Sequence, residues 1–188
     1  MLMDYPIQTF SECSEIDRLI IVVPTKYCSE IQEEYPDHSV VSGGSSRKES
    51  AFKGLIACPP ETKKVLIHDA ARALVDTATI IRCINGLDEA KAISTVIPTK
   101  DTVVETNENI IVKIPNRSRM YLEQTPQGFH YQTILKAHTN FQVDTTDDIR
   151  LVIEMGIKCA TVEGSENNFK ITTKQDFQLA ELLLREGT

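Results

Sequence analysis

The sequence predicts an α/β fold: a doubly wound, mostly parallel sheet with helices on both faces and one projecting β-hairpin arm. Three observations predict it. Short continuous apolar runs recur, stretches of helical spacing fall between them, and the connections are short. The run Leu19-Ile20-Ile21-Val22-Val23, closed by Pro24, suits a strand buried on both faces of a parallel sheet. Residues 39–41 and 65–68 read the same way, and 92–97 and 159–162 follow. Helices are expected over 6–13, 28–35, 47–58, 77–87, 131–138, 146–155 and 174–185. The last carries Phe177, Ala180, Leu183 and Leu184 at helical spacing, with Glu181 and Arg185 outside the stripe. The alternation makes the whole a Rossmann-like wound fold.

One stretch breaks the rhythm. Residues 102–105 and 110–114 flank the polar segment Thr106-Asn107-Glu108-Asn109 and predict an antiparallel hairpin. A lone two-stranded hairpin is marginal in water, so it needs a partner surface, either on its own domain or on another subunit. No linker or repeat divides the chain, so residues 1–188 read as one domain, with the arm over 101–121. The front end departs from the usual pattern. A doubly wound sheet ordinarily opens on a strand followed by phosphate-binding glycines. Here a helix comes first, and none of the eight glycines falls into GxGxxG or a Walker pattern. Either a ligand is held differently or a piece of the fold is absent from this chain.

Composition narrows the partners. Lys and Arg total 20 against 27 Asp and Glu, a net charge of −7, which argues against nucleic-acid or anionic-membrane binding. Five scattered cysteines without a CxxC pair suggest neither a zinc ribbon nor a disulfide framework, and favour a reducing cytoplasm. The longest apolar run is too short to span a bilayer, and the start lacks the features of a secretion signal. The expectation is a cytoplasmic protein.

Ligands of open α/β sheets bind beyond the carboxyl ends of the strands. After the 39–41 strand come Gly43-Gly44-Ser45-Ser46-Arg47-Lys48-Glu49-Ser50: paired glycines for close approach, then a helix start with free N–H groups and flanking positive charge. An ordinary helix-capping loop explains the same residues. After the 65–68 strand, Asp69-Ala70-Ala71-Arg72 offers an acid, two small residues and a planar donor fork; an Asp cap with a surface Arg is the plainer reading. His68 reads as buried and hydrogen-bonded rather than catalytic. Thr146-Asp147-Asp148 opens a helix, and capping alone accounts for it. Lys170 sits in what reads as a short, apolar-flanked strand, an odd place for a solvated lysine. Together Arg47, Arg72, Arg117 and Lys170 give four basic groups at strand-end loops of an acidic chain, as a polyphosphate ligand requires.

These phrases, with Asp101-Thr102, Gln124-Thr125-Pro126-Gln127 and Asn168-Phe169-Lys170-Ile171-Thr172, run in the same order as in the 2-C-methyl-D-erythritol 4-phosphate cytidylyltransferases, which the chain resembles from about Pro6 to its end. The resemblance implies a transferase of isoprenoid precursor synthesis that moves CMP from CTP to a sugar-alcohol phosphate, with Mg²⁺ assisting. It implies Lys170 as the catalytic residue at the α-phosphate. Gly43, Gly44, Arg47, Ser50, Asp69 and Ala70 would hold the nucleotide, with Asp69 on the metal. Arg72, Thr102, Arg117, Thr125 and Thr146 would position the acceptor. It also implies a homodimer in which the arm carries Thr102 and Arg117 to the neighbour's site.

The sequence departs from the family at Ala73, usually Pro, and at Ser45-Ser46, which replace an acidic pair. The family's opening strand, glycine-rich loop and a second catalytic lysine are not in this chain, so it reads as N-terminally incomplete. Two alternatives follow: a ribitol-5-phosphate cytidylyltransferase, suggested by Ile114-Pro115 with Arg117 and by Met120-Tyr121, or a catalytically inactive member. A nucleotide-sugar glycosyltransferase would want a DxD motif at a strand end, and the chain has none there.

Overall fold

The computed structural model describes residues 1–141, 145 and 147–186. The elements in chain order are α1 (Asp4–Ser11), β1 (Ile20–Val23), α2 (Cys28–Glu34), β2 (Ser39–Ser42), α3 (Arg47–Ile56), β3 (Lys64–Ile67), α4 (Thr77–Gly86), β4 (Ala92–Pro98), β5 (Glu105–Asn107), β6 (Ile110–Lys113), β7 (Tyr121–His130), α5 (Tyr131–Asn140), α6 (Asp148–Glu154), β8 (Ala160–Glu163) and α7 (Lys174–Glu186). Among the described residues, side chains start four of the helices: Ser46, Asp76, Asp147 and Thr173 each accept a backbone N–H of the first turn of α3, α4, α6 and α7.

Four strands pair in the spatial order β3-β7-β4-β8. β7 runs antiparallel to β3 and β4, and β4 is parallel to β8, so three strands share one direction and β7 alone is reversed. Helices cover both faces. On one, Leu55, Phe129, Ile134, Leu151 and Val152 form the largest apolar cluster. On the other, Cys83 of α4 and Leu87, just past its end, pack on Ile93. Gly128 permits that approach, since a Cβ there would lie 2.9 Å from Cys83 Sγ.

Three features differ from the sequence expectation. The strands divide between two sheets, because β1 and β2 pair only with each other, in parallel. Side-chain packing joins the sheets: Leu19 and Leu66 both pack on the cluster of Phe10, Cys13, Val75 and Ile80. The longest strand, β7, carries no sequence signal, because Glu123-Gln124-Thr125-Pro126-Gln127-Gly128 reads as a polar loop. It is buried in mid-sheet all the same. Ser94 faces Gln127 and Thr95 faces Gln124, so Thr125 and Pro126 form a bulge that excuses proline from the ladder. Finally, Lys170 lies in an irregular segment rather than a strand, tied down by Ile171 N–H donating to Ala71 O at 2.8 Å.

The hairpin forms as a separate two-stranded sheet. Its turn is shorter than expected, with Glu108 and Asn109 both at positive φ (46° and 66°), the form that matches strand twist. Every residue of β5 and β6 is exposed, including Ile110, Ile111 and Val112.

Candidate functional site

β2 ends at Ser42 and turns through Gly43-Gly44-Ser45 into α3. The paired glycines make room for an internal acid. Ser45 donates from both its N–H and its hydroxyl to Glu49 Oε2, each at 2.8 Å, and Gly44 N–H donates to Ser50 Oγ at 3.0 Å. The Ser45 backbone and hydroxyl bonds, with Lys53, bring the Glu49 carboxyl down to about 2. A Cβ on Gly44 would fall 2.3 Å from the Glu49 carboxyl carbon. The helix start that the sequence offers to an anion is thus covered by its own glutamate, and Gly43, Gly44 and Ser50 stay outside the cavity described next. Arg47, one residue past the cap, reaches into it.

The cavity lies beyond the carboxyl end of β3, against the bulged middle of β7, and has a volume of about 170 Å³. At its centre is Asp69. The bulge in β7 aims Thr125 at it: Asp69 N–H donates to Thr125 Oγ1 at 3.0 Å, and that oxygen also bonds His68 Nδ1 at 3.1 Å. The Asp69 carboxylate meets Arg47 Nε at 3.3 Å and Lys170 Nζ at 2.8 Å. Burial pushes the Asp69 carboxyl up, but Lys170 and Arg47 outweigh it and hold it below the usual range. Three segments far apart in the chain, around residues 47, 69 and 170, therefore converge. Of the four basic groups that the sequence places at strand-end loops, Arg47 and Lys170 thus meet at Asp69.

The other expected residues fall as follows. Arg72 lines the cavity with its fork occupied: Nη1 donates to Asn168 O at 2.8 Å and Nη2 to Glu123 O at 3.1 Å. Burial lowers its pKa, with Asp69 and Glu123 pulling the other way. It braces the Lys170 segment against β7. Thr125 also lines the cavity, and its hydroxyl is engaged by Asp69 and His68 as above. Ala70 is exposed beside Asp69. Thr102 and Arg117 lie on the arm, where Arg117 Nη1 donates to Lys100 O at 3.0 Å, and neither lines the cavity. Thr146 lies outside the described residues. His68 is structural, as expected: Nε2 lies 3.0 Å from Arg72 O, and burial brings its pKa down to about 4.

The sequence reading missed the acids that balance the cations. Glu123 and Asp147 line the cavity with Asp69, opposite Arg47, Arg72 and Lys170. Burial and the hydrogen bond with Asp147 push Glu123 up to about 7, against a hydrogen bond from Ser94. Asp148 is not a surface dipole partner but a fully buried carboxylate, 2.6 Å from Arg47 Nη1 and 2.9 Å from His138 Nε2. Burial lowers the Arg47 pKa, yet Asp148 and Asp69 raise it above its ordinary value. Polar residues at 123, 125 and 127 share the strand's period of two, the one signal that could have marked this wall. The cavity is therefore an ion-paired cluster rather than an open basic patch. A larger hollow of about 500 Å³, lined by Glu89, Lys91, Lys158 and Cys159, lies at the amino ends of β4 and β8, the wrong edge for an α/β ligand.

No group of three or more His, Cys, Asp or Glu side chains could hold a metal among the described residues. Asp69, Glu123 and Asp147 line the cavity, and Mg²⁺ is an ion commonly bound by one or two carboxylates plus substrate phosphates. No helix of the described residues is long and apolar enough to cross a membrane.

Fold and cavity together define an α/β protein that gathers anion-binding groups where a wound sheet receives its ligand. The family model "IspD: 2-C-methyl-D-erythritol 4-phosphate cytidylyltransferase" matches residues 1–186, and the chain belongs to that family of nucleotidyltransferases. A 2-C-methyl-D-erythritol 4-phosphate cytidylyltransferase of Prochlorococcus marinus is 38% identical over 79% of this chain and 67% of its own length. That of Synechococcus elongatus is 38% identical over 79% and 66%, so the aligned stretch spans about two thirds of these relatives. That of Caldanaerobacter subterraneus is 36% identical over 97% of this chain and 85% of its own. Among solved structures, the 4-diphosphocytidyl-2C-methyl-D-erythritol synthase of Anaerococcus prevotii superposes with a TM-score of 0.91 at 29% identity, covering 98% of this chain and 86% of that one. The cytidylyltransferase of Thermus thermophilus gives 0.87 at 28%, covering 98% and 89%.

Proposed function

We propose that this protein transfers CMP from CTP to 2-C-methyl-D-erythritol 4-phosphate, a step of isoprenoid precursor synthesis, in the cytoplasm. The observation that carries the proposal is the convergence of Arg47 and Lys170 on Asp69 in a cavity at the sheet's carboxyl edge. A phosphate oxygen of the acceptor forms a bond to the α-phosphorus of CTP, and the α–β bridging bond breaks to release pyrophosphate. The attacking oxygen carries no proton to remove, so the reaction needs no general base. It needs cations at the equatorial oxygens. Lys170, half-exposed and paired with Asp69 among the described residues, can swing to the α-phosphate. Arg47 would add a second cation for the nucleotide's phosphates. Mg²⁺, bound through Asp69 and the triphosphate, would supply further positive charge there. By the family resemblance Gly43, Gly44, Ser50 and Ala70 would hold parts of the nucleotide that extend past this cavity, while Arg72 and Thr125, which line it, would position the acceptor.

The arm supports a homodimer. Its exposed aliphatic side chains give it reason to seek a second copy, and Thr102 and Arg117 would then serve the partner's cavity. The cavity's volume favours one further reading, an inactive member: about 170 Å³ is below the roughly 300 Å³ at which small-molecule pockets begin.

Coupled detection of pyrophosphate tests the proposal with CTP, Mg²⁺ and either methylerythritol phosphate or ribitol 5-phosphate. Release with the first acceptor is expected. Release with ribitol phosphate alone would change the substrate, and release with neither would leave the inactive reading.

A further inference from the structure

One buried group that this chemistry does not use stands directly behind its machinery. His138, in the last turn of α5, has a fully buried side chain. Its ring stacks on Phe52 with centroids 5.9 Å apart and planes 11° from parallel. Nε2 lies 2.9 Å from Asp148 Oδ1, and the other oxygen of that carboxylate accepts from Arg47 Nη1 at 2.6 Å. Among the described residues, Nδ1 has no hydrogen-bond partner. The carboxylate contact places a hydrogen on Nε2.

This arrangement fixes an arginine from the rear. A buried carboxylate needs donors on its oxygens, and Asp148 has one on each. Arg47 is thereby held at Nη1 by an immobile anion and at Nε by Asp69. Among the described residues, neither of these bonds engages Nη2. Without the His138 donor, Oδ1 would be left bare, and the guanidinium would be drawn across both carboxylate oxygens, away from the cavity.

We infer that His138 is a positioning residue: acting through Asp148, it sets the direction in which Arg47 presents its guanidinium to a nucleotide phosphate. The inference rests on the CTP reading above, and it concerns affinity for the nucleotide rather than the chemical step. Packing alone does not explain it, because Ile134, Ala137, Ile149 and Val152 already hold α5 and α6 together.

Three variants of the full chain test it. His138→Leu keeps bulk and removes the donor. His138→Asn carries its amide too short to reach Asp148, and His138→Gln restores an N–H near the position of Nε2. His138→Leu and His138→Asn should raise the CTP KM about tenfold with kcat within about threefold, whereas His138→Gln should stay within about threefold of the parent in both. Side-chain ¹⁵N spectra without ligand supply a second readout. Hindered Arg47 Nη signals should persist in the parent and His138→Gln and average out in the other two. Parental KM and hindered Arg47 signals in a folded His138→Leu or His138→Asn protein would overturn the inference, as would equal loss in His138→Gln. If the parent shows no turnover with either acceptor, the proposed function fails, and the Arg47 signals alone decide the role of His138.

Discussion

In the cavity, charged side chains meet opposite charges: Lys170 and Arg47 share Asp69, and Arg47 reaches through to Asp148 and His138. On the hairpin arm the reverse holds. Ile110, Ile111, Val112 and Ile114 face solvent, between 55% and 67% exposed. Both regions are held ready for something else, for opposite reasons. Polar groups in a low-dielectric cleft must be neutralised from within until a ligand replaces the internal partner. The apolar groups of the two-stranded ribbon lie exposed, which is the observation behind the proposed dimer. The difference teaches where to look for incompleteness: in the cavity it is masked by ion pairs, and on the arm it is bare.

Breaking the cavity side should have the largest effect. Lys170→Met removes the cation that can move to the α-phosphate, and turnover should fall by about 10²–10³ in the pyrophosphate assay. A parental rate would place the chemistry elsewhere. Breaking the arm comes next. The pair Ile110→Asp with Ile111→Asp should convert a two-chain species to a single chain by light scattering, with unchanged circular dichroism. A parent that is already monomeric would remove the dimer reading.

A smaller effect sharpens the cavity's electrostatics. Glu123, pushed up to about 7, is largely protonated below that value and negative above it. As pH rises from 6 to 8 its new charge should repel CTP, so affinity should fall more steeply in the parent than in Glu123→Gln, a comparison that cancels the nucleotide's own titration. Equal slopes would exclude it. The same sign applies to folding. An acid whose folded pKa is raised above about 4.3 binds protons more readily in the native state, so stability falls as pH climbs toward 7. Smallest of all is an ion pair with neither burial nor ligand. Lys100 and Glu166 are 72% and 63% exposed, and Glu166→Gln should alter stability by less than about 1 kcal/mol by denaturant titration.

How much of this was legible in the sequence depends on which physics each residue answers to. Strands of continuous apolar residues and helices of regular stripe could be read at once, because burial on a sheet dictates them. The hairpin was visible too, though the two-residue turn at Glu108 and Asn109 depends on positive φ that composition does not signal. β7 was invisible because its buried residues are polar and satisfied by neighbours distant in sequence: Gln124 bonds Ser165, and Gln127 bonds Asp147. Arg47, Asp69 and Lys170 could be found as strand-end charges and through family resemblance. That Asp148 is buried, or that Arg72 braces backbone carbonyls, could not, since a helix-start acid and a loop arginine look the same on a surface. Apolar neighbours suggest a strand around Lys170, but the segment is irregular and the bond to Asp69 explains the lysine's place.

The central claim is that Arg47 and Lys170 are held by Asp69 until a nucleoside triphosphate takes them over. Calorimetric titration of CTP with Mg²⁺ into the parent, Arg47→Ala and Lys170→Met tests it most directly. The account predicts saturable heat in the parent at submillimolar CTP and at least tenfold weaker binding in each variant, on the order of one lost charge-assisted contact. No heat in the parent at millimolar CTP, or three equal isotherms, would contradict it.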